Sequence, residues 1–206
     1  MIIGRQQPEA AASAVCYFDP EDLTGDPTIQ CFHSAVMTNA ALGGADKQPG
    51  FSLATVVLQP KSRGQVTLRN ADPRSAPLID PNYLAHPDDM RSMIAGVRCV
   101  RAVLDAPSLR DVVEAEVSPG VSAQSDAELT DHIKKTITCM WHPIGTARMG
   151  SDEQSVVDPA LRVSGVRGLR VIDASIMPNI ISGNTNVTTL ALASKGLGFL
   201  KAALGG

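Results

Sequence analysis

The stretch of residues 141–186 constrains this chain most, because it places a fixed histidine and a polar turn on either side of one short apolar run. It opens with Trp141-His142-Pro143, where the proline restricts His142 to extended backbone geometry. It closes with Ser182-Gly183-Asn184-Thr185-Asn186, directly before an apolar helix expected over about residues 187–204. The stretch therefore predicts half of an active site.

Composition limits the class of protein. The 206 residues are 44% hydrophobic and carry a net charge of −3, which is typical of a globular chain with one core, or one domain and a piece of another. Only 3% of the residues are aromatic and no basic run occurs, so a nucleic-acid partner is excluded. No apolar run long enough for a membrane span or a signal peptide is expected.

The cysteines stand alone, with no C-x-x-C pair among them. This pattern predicts small buried apolar side chains rather than zinc ligands or a disulfide framework, so no metal site is expected. Unpaired cysteines favour a reducing compartment, and hence a cytoplasmic location. The four residues are Cys16, Cys31, Cys99 and Cys139.

Alternation of apolar residues predicts the strands of the N-terminal half. Residues 29–33 form one short strand, and residues 40–50 a loop. Residues 53–58 and 65–69 are predicted to pair as a hairpin around a turn that exposes Lys61 and Arg63 to solvent. The proline-rich segment 72–84 is expected to cross the molecule with little regular structure.

Helical spacing and capping residues predict two helices. The first begins at His86-Pro87 and ends before Pro107, burying a stripe that includes Met90 and Met93. The second begins at the capping box from Ser125 to Glu128 and runs to about Ile137, with Leu129 and Ile133 facing inward. Three histidines are expected to make only local or surface contacts, namely His33, His86 and His132.

The residues alone leave two interpretations open at the candidate site. His142 can be a core histidine or a functional one, and Asn186 or Thr188 can be a simple helix N-cap. Residues 169–173 are predicted to be a short buried strand with Asp173 at its carboxyl end, an edge where open α/β sheets bind ligands. The first turn of the following helix offers unpaired N–H groups that can hold an anion or a carbonyl.

Four separated blocks, which follow one another in the same order as in the family, resemble the C-terminal signature of the glucose-methanol-choline (GMC) oxidoreductases. Two earlier segments, Pro60-Lys61-Ser62-Arg63-Gly64 and residues 79–84, are similar to that family's substrate domain. The nearest subgroup is the choline-dehydrogenase-like alcohol dehydrogenases. Ala147 departs from the cysteine of many relatives, and Val187-Thr188-Thr189 departs from a common Ala-Pro-Thr. The signature blocks are residues 142–150, 157–163, 173–178 and 183–186.

The resemblance implies a two-part fold. Residues 1–140 are expected to be an α+β substrate domain, an antiparallel sheet with flanking helices and an incomplete N-terminal edge. Residues 141–206 are expected to supply the C-terminal strand and helix of an FAD-binding, Rossmann-like α/β domain. The sequence lacks a G-x-G-x-x-G after a strand, so the N-terminal part of that domain is expected to be missing and to act as a partner segment. Apolar surface left uncovered predicts self-association.

The resemblance also implies the chemistry, in which a small alcohol is oxidised to an aldehyde or ketone by hydride transfer to FAD. His142 holds the substrate hydroxyl and assists its deprotonation, and Asn186 is the partner amide beside it. Dehydrogenases of this kind also allow peripheral membrane association. Contacts to FAD are implied for Asp173, Ala174, Asn184, Thr185 and Thr188.

Two other functions are weighed against this one. The chain can be a non-catalytic remnant that folds like a substrate domain and holds no FAD. It can also be a hydrolase that uses a serine with His142, but no G-x-S-x-G elbow occurs in the sequence, which ranks that function last.

Overall fold

A computed structural model describes most of the chain, namely residues 2–4, 14–34, 38–39, 44–45 and 50–205. In chain order the described strands are β1 (Ile2–Gly4), β2 (Val15–Phe18), β3 (Ile29–Ser34), β4 (Thr38–Asn39), β5 (Gly44–Ala45), β6 (Gly50–Val57), β7 (Gln65–Thr67), β8 (Leu78–Asp80) and β9 (Val113–Glu116). The α-helices are α1 (Pro87–Leu104), α2 (Asp126–Thr136) and α3 (Asn186–Leu204).

The chain divides into two compact units. The first unit comprises residues 1–61 and 84–140, and the second unit comprises residues 62–83 and 141–206. The sequence analysis divided the chain after residue 140. Residues 62–83 were grouped there with the first domain, whereas in the structure they cluster with the second unit.

The first unit is built on an antiparallel sheet of strand order β2-β3-β6-β1-β9. Its longest described pairing runs between β3 and β6, from Ile29 opposite Val57 to Ser34 opposite Ser52. Helix α1 packs against these two strands, and a Cβ on Gly96 would lie 3.4 Å from the fully buried Ile29. The mixture of helices with an antiparallel sheet agrees with the predicted fold class.

The predicted hairpin between residues 53–58 and 65–69 is wrong. Strand β6 pairs with β3 and β1, while β7 pairs with β8, in the segment predicted to lack regular structure. Both runs alternate, but alternation fixes only which face a side chain takes and leaves the partner strand open. The loop predicted over residues 40–50 also contains β5, which pairs with β4, and its other residues before Gly50 lie outside the described part.

Both predicted helices of the first unit are confirmed. The ring of His86 caps α1 by accepting a hydrogen bond from the Asp88 N–H at 3.2 Å. Ser125 and Glu128 form the full capping box of α2. Leu129 and Ile133 are buried with Ile94, and the partly buried Met90 and Met93 pack against them, so the methionines fill the core.

Two predictions about polar side chains of these segments need correction. His132 is partly buried rather than on the surface, its ring lies 3.4 Å from the Thr136 hydroxyl, and burial lowers its pKa. Lys61 and Arg63 are exposed but paired rather than merely solvated. Lys61 forms an ion pair with Asp88, and Arg63 donates to the Asn179 side chain at 3.2 Å.

The cysteines differ more in burial than the sequence analysis predicted. Cys31 is buried, but Cys16, its direct neighbour across the β2–β3 pairing, is exposed, and Cys99 and Cys139 are intermediate. Burial raises the pKa of the Cys31 thiol to about 12. The thiolate is the reactive form of a cysteine, so access and ionisation both protect Cys31.

We expect a small thiol reagent at pH 8 to modify Cys16 rapidly and Cys31 only after the chain is unfolded. Burial keeps the reagent away from Cys31 and, by raising its pKa, also keeps the thiol protonated at that pH. Peptide mass spectrometry over a time course measures both rates. A Cys16→Ser variant should lose the rapid phase, and equal rates at the two residues in the native protein would contradict the prediction.

The second unit has its own apolar core. Val157, Leu161 and Ile176 are buried in it, with partly buried residues of 149–172 and of α3 packed around them. Helix α3 approaches this core closely at Gly196, where an added Cβ would lie 2.4 Å from Ile172 Cγ2. Gly196 therefore serves close packing of α3 on this core, whereas a Cβ on Gly198 would meet nothing within 4 Å.

The buried strand predicted over residues 169–173 is absent from the described second unit. Arg162 and Arg170 form only an isolated antiparallel bridge, and Leu169 is half exposed. An apolar run becomes a strand only where neighbouring backbone pairs with it, and periodicity does not reveal that partner. Helix α3 is long and apolar enough to cross a membrane by length and composition, which the sequence analysis had not expected; a single such helix is weak evidence for a span.

Candidate active site

The site begins at a sharp backbone turn before His142. Trp141 adopts a φ of 60°, in the left-handed region that bulky residues rarely enter. Such backbone strain costs on the order of 1–3 kcal/mol and persists only where the surrounding structure imposes it. The indole is 83% exposed, so its packing does not account for the turn. The turn fixes the direction in which the chain enters His142, and Pro143 restricts the next step.

The segment after His142 is joined to residues 175–177 by main-chain contacts. The Ala147 N–H donates to the Ser175 carbonyl at 3.0 Å, and the Met149 N–H donates to the Ile176 carbonyl at 2.8 Å. Gly145 has a φ of 87°, and a Cβ there would lie 3.4 Å from the Met177 carbonyl oxygen. These bonds hold the His142 segment beside a core residue, Ile176, that is fully buried.

Two ion pairs close the turns of the next signature blocks. Arg148 binds Asp152 through both terminal guanidinium nitrogens, at 2.9 and 2.7 Å, and this contact lowers the pKa of Asp152. The pKa of Asp158 is lowered by the Arg162 N–H and then by the guanidinium of the same residue. The Asp152 carboxylate is exposed and the Asp158 carboxylate is partly exposed, so solvent screens both ion pairs, and they shape the loops rather than supply much stability.

Asp173 has a local structural partner. Its carboxylate accepts from the Ser175 N–H at 2.8 Å and from the Ser175 hydroxyl at 2.5 Å, which caps the short 3-10 helix Ala174–Ile176. One carboxylate oxygen makes both bonds, and a carboxylate has room for further donors on the other. The residue is exposed, so the predicted ligand edge is accessible.

The polar turn leads directly into α3. The helix begins at Asn186, with Thr185 in the N-cap position and no side-chain capping bond. The alternative that Asn186 or Thr188 is an N-cap is therefore wrong, since both lie inside the helix. The N–H groups of the first turn consequently have no side-chain acceptor at the cap, which leaves them able to bind an anion or a carbonyl oxygen.

The structure brings His142 and Thr185 into contact. The Thr185 hydroxyl lies 3.1 Å from His142 Nδ1, although 43 residues separate them in the sequence. Thr185 is only 6% exposed, and His142 is partly buried. The sequence analysis had placed Thr185 beside the cofactor. Its position before an apolar helix is typical of an N-cap, and no spacing in the sequence indicates the contact with the imidazole.

The other predicted site residues are near this pair in sequence but make no hydrogen bond to it. Asn184 and Asn186 are exposed, and their side chains form no hydrogen bond with the described residues. Thr188 and Ala174 are partly buried. Within the described part of the chain no cluster of three or more histidine, cysteine or acidic side chains could hold a metal ion. The site thus contains the imidazole of His142, the Thr185 hydroxyl in contact with it, and the exposed side-chain amides of Asn184 and Asn186 at the start of α3.

This arrangement of groups suits proton transfer to or from a bound hydroxyl group. Comparison with known proteins identifies the family of the chain. Residues 60–193 match the family model described as GMC oxidoreductase. An alcohol dehydrogenase [acceptor] of Pseudomonas putida is 49% identical over 70% of this chain and 26% of its own length. Choline oxidase of Arthrobacter globiformis is 39% identical over 98% of this chain and 39% of its own length.

Solved structures show the same likeness. Pyridoxine 4-oxidase from Mesorbium loti superposes with a TM-score of 0.88 at 29% identity, over 95% of this chain and 40% of that one. A formate oxidase from Aspergillus oryzae, studied for FAD modification, gives a TM-score of 0.79 at 28% identity, over 90% of this chain and 33% of that one.

The chain belongs to the GMC oxidoreductase family, whose members are FAD-dependent oxidoreductases. Its relatives include alcohol and choline dehydrogenases and oxidases, which is the subgroup the sequence indicated. The chain spans between about a quarter and two fifths of the length of these curated relatives.

Proposed function

We propose that this chain is the C-terminal, alcohol-handling portion of an FAD-dependent enzyme that oxidises an alcohol to an aldehyde or ketone. The contact between His142 and Thr185 carries the proposal, because it gives the family's signature histidine a fixed ring beside the start of α3. The two compact units support a division into a substrate domain and a segment that completes the FAD domain.

In this proposal His142 binds the oxygen of the substrate hydroxyl and takes its proton. A histidine suits this step because its neutral ring accepts a proton near physiological pH. As the proton leaves, negative charge develops on the substrate oxygen, and a nearby amide N–H stabilises it. Asn186 supplies that amide, since it follows Thr185 directly and its side chain has no hydrogen-bond partner among the described residues.

The start of α3 and the 173–174 turn fit the implied cofactor. FAD, when bound, supplies the acceptor for the hydride that leaves the alcohol carbon. The uncapped N–H groups of α3, with Asn184 and Thr188 beside them, offer donors to the polar edge of a flavin ring. Asp173 and Ala174 offer an exposed carboxylate oxygen and a small side chain to a neighbouring part of the cofactor.

The pyrophosphate-binding loop is assigned to a separate segment, because no G-x-G-x-x-G after a strand occurs in this sequence. Exposed apolar residues on α3 support the same division, since a helix normally buries such side chains against a partner. In isolation this surface would favour self-association. The most exposed are Val187, Leu190, Leu197 and Leu204, each more than half exposed.

Visible absorbance tests the proposal. We expect the purified 206-residue chain to carry little or no flavin, because it lacks the phosphate-binding loop. A chimera in which this chain replaces the matching 39% of Arthrobacter globiformis choline oxidase should bind FAD. In the absence of dissolved O2, adding a suitable primary or secondary alcohol should then reduce the flavin and bleach its visible absorbance band.

The isolated chain and the chimera together distinguish the proposed enzyme portion from a non-catalytic remnant. Stoichiometric FAD on the isolated chain would refute the need for a separate loop. A folded chimera that holds flavin but is bleached by no alcohol in a broad panel would favour the non-catalytic remnant over the enzyme. The parent choline oxidase, treated with the same alcohols, shows that the assay detects reduction.

A further inference from the structure

The backbone of Thr185 is held in place independently of the histidine that its side chain contacts. Its carbonyl accepts from the Thr189 N–H at 2.9 Å and from the Thr189 hydroxyl at 2.8 Å, which anchors it to the first turn of α3. The residue is 6% exposed, and within the described residues its hydroxyl has one hydrogen-bond partner, His142 Nδ1 at 3.1 Å. A buried hydroxyl on a helical anchor is a rigid contact for an imidazole.

We infer that Thr185 is a positioning residue for His142, and this inference rests on the proposed function. The Thr185 hydroxyl occupies Nδ1, so Nε2 is the ring nitrogen presented to the substrate oxygen. The hydrogen bond fixes rotation of the ring about its own axis, which a histidine with two free nitrogens would not maintain. Correct orientation of a reacting group accounts for a large part of catalytic rates, and small displacements are costly.

A hydroxyl suits this task because it can either donate or accept. When the neutral ring carries its proton on Nδ1, the hydroxyl oxygen accepts a hydrogen bond from Nδ1–H, and Nε2 has a free electron pair. Transfer of the substrate proton then breaks one O–H bond and forms one Nε2–H bond, and the ring becomes a cation whose Nδ1–H still donates to Thr185. The same contact therefore serves the ring before and after it takes the proton.

This assignment changes the role that the sequence indicated for Thr185. The resemblance grouped it with the residues that contact FAD, yet its hydroxyl is directed to the imidazole and is buried. Its neighbours Asn184 and Asn186 are exposed on either side of it. Along this turn, exposed amides therefore alternate with a buried hydroxyl, which separates groups available to ligands from the group that holds the histidine.

Nitrogen NMR of the histidine rings tests the contact on the 206-residue chain without any flavin. We compare Thr185→Val, which has similar shape and no hydroxyl, with Thr185→Ser, which retains the hydroxyl. Thr185→Val should move the His142 ring nitrogen signals, most strongly Nδ1, and Thr185→Ser should leave them near their wild-type positions. The signals of His33, His86 and His132 show whether each variant is folded, and Thr185→Ala replaces the valine variant if it is not. Unmoved His142 signals in a folded variant without the hydroxyl would overturn the inference.

Kinetics of the flavin-loaded chimera supply the second measurement. Thr185→Val should lower kcat/KM by about 10- to 100-fold, mainly through kcat, with bound flavin unchanged, and Thr185→Ser should restore most of the activity. Loss of flavin with unmoved His142 signals would assign Thr185 to the cofactor and overturn the inference. If the NMR change occurs but His142→Ala leaves turnover intact, the contact exists and the proposed function fails instead.

Discussion

Replacing His142 with alanine in the flavin-loaded chimera should lower kcat/KM by about 10²- to 10⁴-fold while the flavin remains bound. This is the usual contribution of a positioned general acid or base. The imidazole is held by Thr185 on one nitrogen, so the alanine removes the proton acceptor and leaves the hydrogen bonds of Ala147 and Met149 to residues 175–176 in place. Steady-state rates with an alcohol that reduces the flavin of the parent chimera measure the loss of kcat/KM. The flavin content of each preparation measures whether the cofactor remains bound.

His86→Ala is the matched control, because it removes a histidine from the first unit that caps α1 and has no place in the proposed mechanism. Its kcat/KM should stay close to that of the parent chimera. His142→Gln adds a further comparison, since glutamine keeps a polar side chain but cannot take a proton. Near-normal turnover in His142→Ala with full flavin content would remove His142 from the mechanism.

The elements that the sequence predicted well are those specified by nearby residues. Helices α1 and α2 begin at their own capping residues, His86 and Ser125, and bury the stripes that a 3.6-residue period indicates. Capping and helical spacing act over a few residues, so a single sequence contains the whole signal. Helix α3 was predicted from its apolar run and begins at Asn186, one residue earlier than expected.

The strands were harder, because each requires a partner elsewhere in the chain. Strands β6 and β7 follow one another, but β6 pairs with β3 while β7 pairs with β8. The apolar run that ends in Val171 and Ile172 packs instead into the core of the second unit, without a ladder on either side. Alternation and apolar content describe a strand's faces, and the choice of partner depends on the whole fold.

The candidate site was predictable in its residues and not in its contacts. Ordered signature blocks gave the family and led to His142, which the family model now covers. They did not show that the Thr185 hydroxyl hydrogen-bonds to the histidine ring, because that contact joins residues 43 positions apart. Its geometry depends on the left-handed turn at Trp141 and on the start of α3, both of which require the folded backbone.

Truncating Ile176 to alanine should cost about 2–5 kcal/mol of unfolding free energy, the usual range for a fully buried aliphatic side chain. Ile176 is 0% exposed and packs with Val157 and Leu161, while its carbonyl accepts the Met149 N–H that ties the His142 segment to the core. The substitution should therefore loosen the site as well as the core. Urea denaturation measures the free energy, and hydrogen exchange at the Ala147 and Met149 amides measures the local effect.

Ile176→Val should cost only about 0.5–1.5 kcal/mol, because it removes one methylene group and keeps the branched shape. Leu129→Ala is the second control, since Leu129 is equally buried but lies in the core around α2. It should lower stability by a similar amount as Ile176→Ala without selectively increasing exchange at the amides of Ala147 and Met149. If Ile176→Ala left those two amides as protected as in the wild-type chain, the core of the second unit would not be what holds His142 in position, and Thr185 with the start of α3 would have to do so alone.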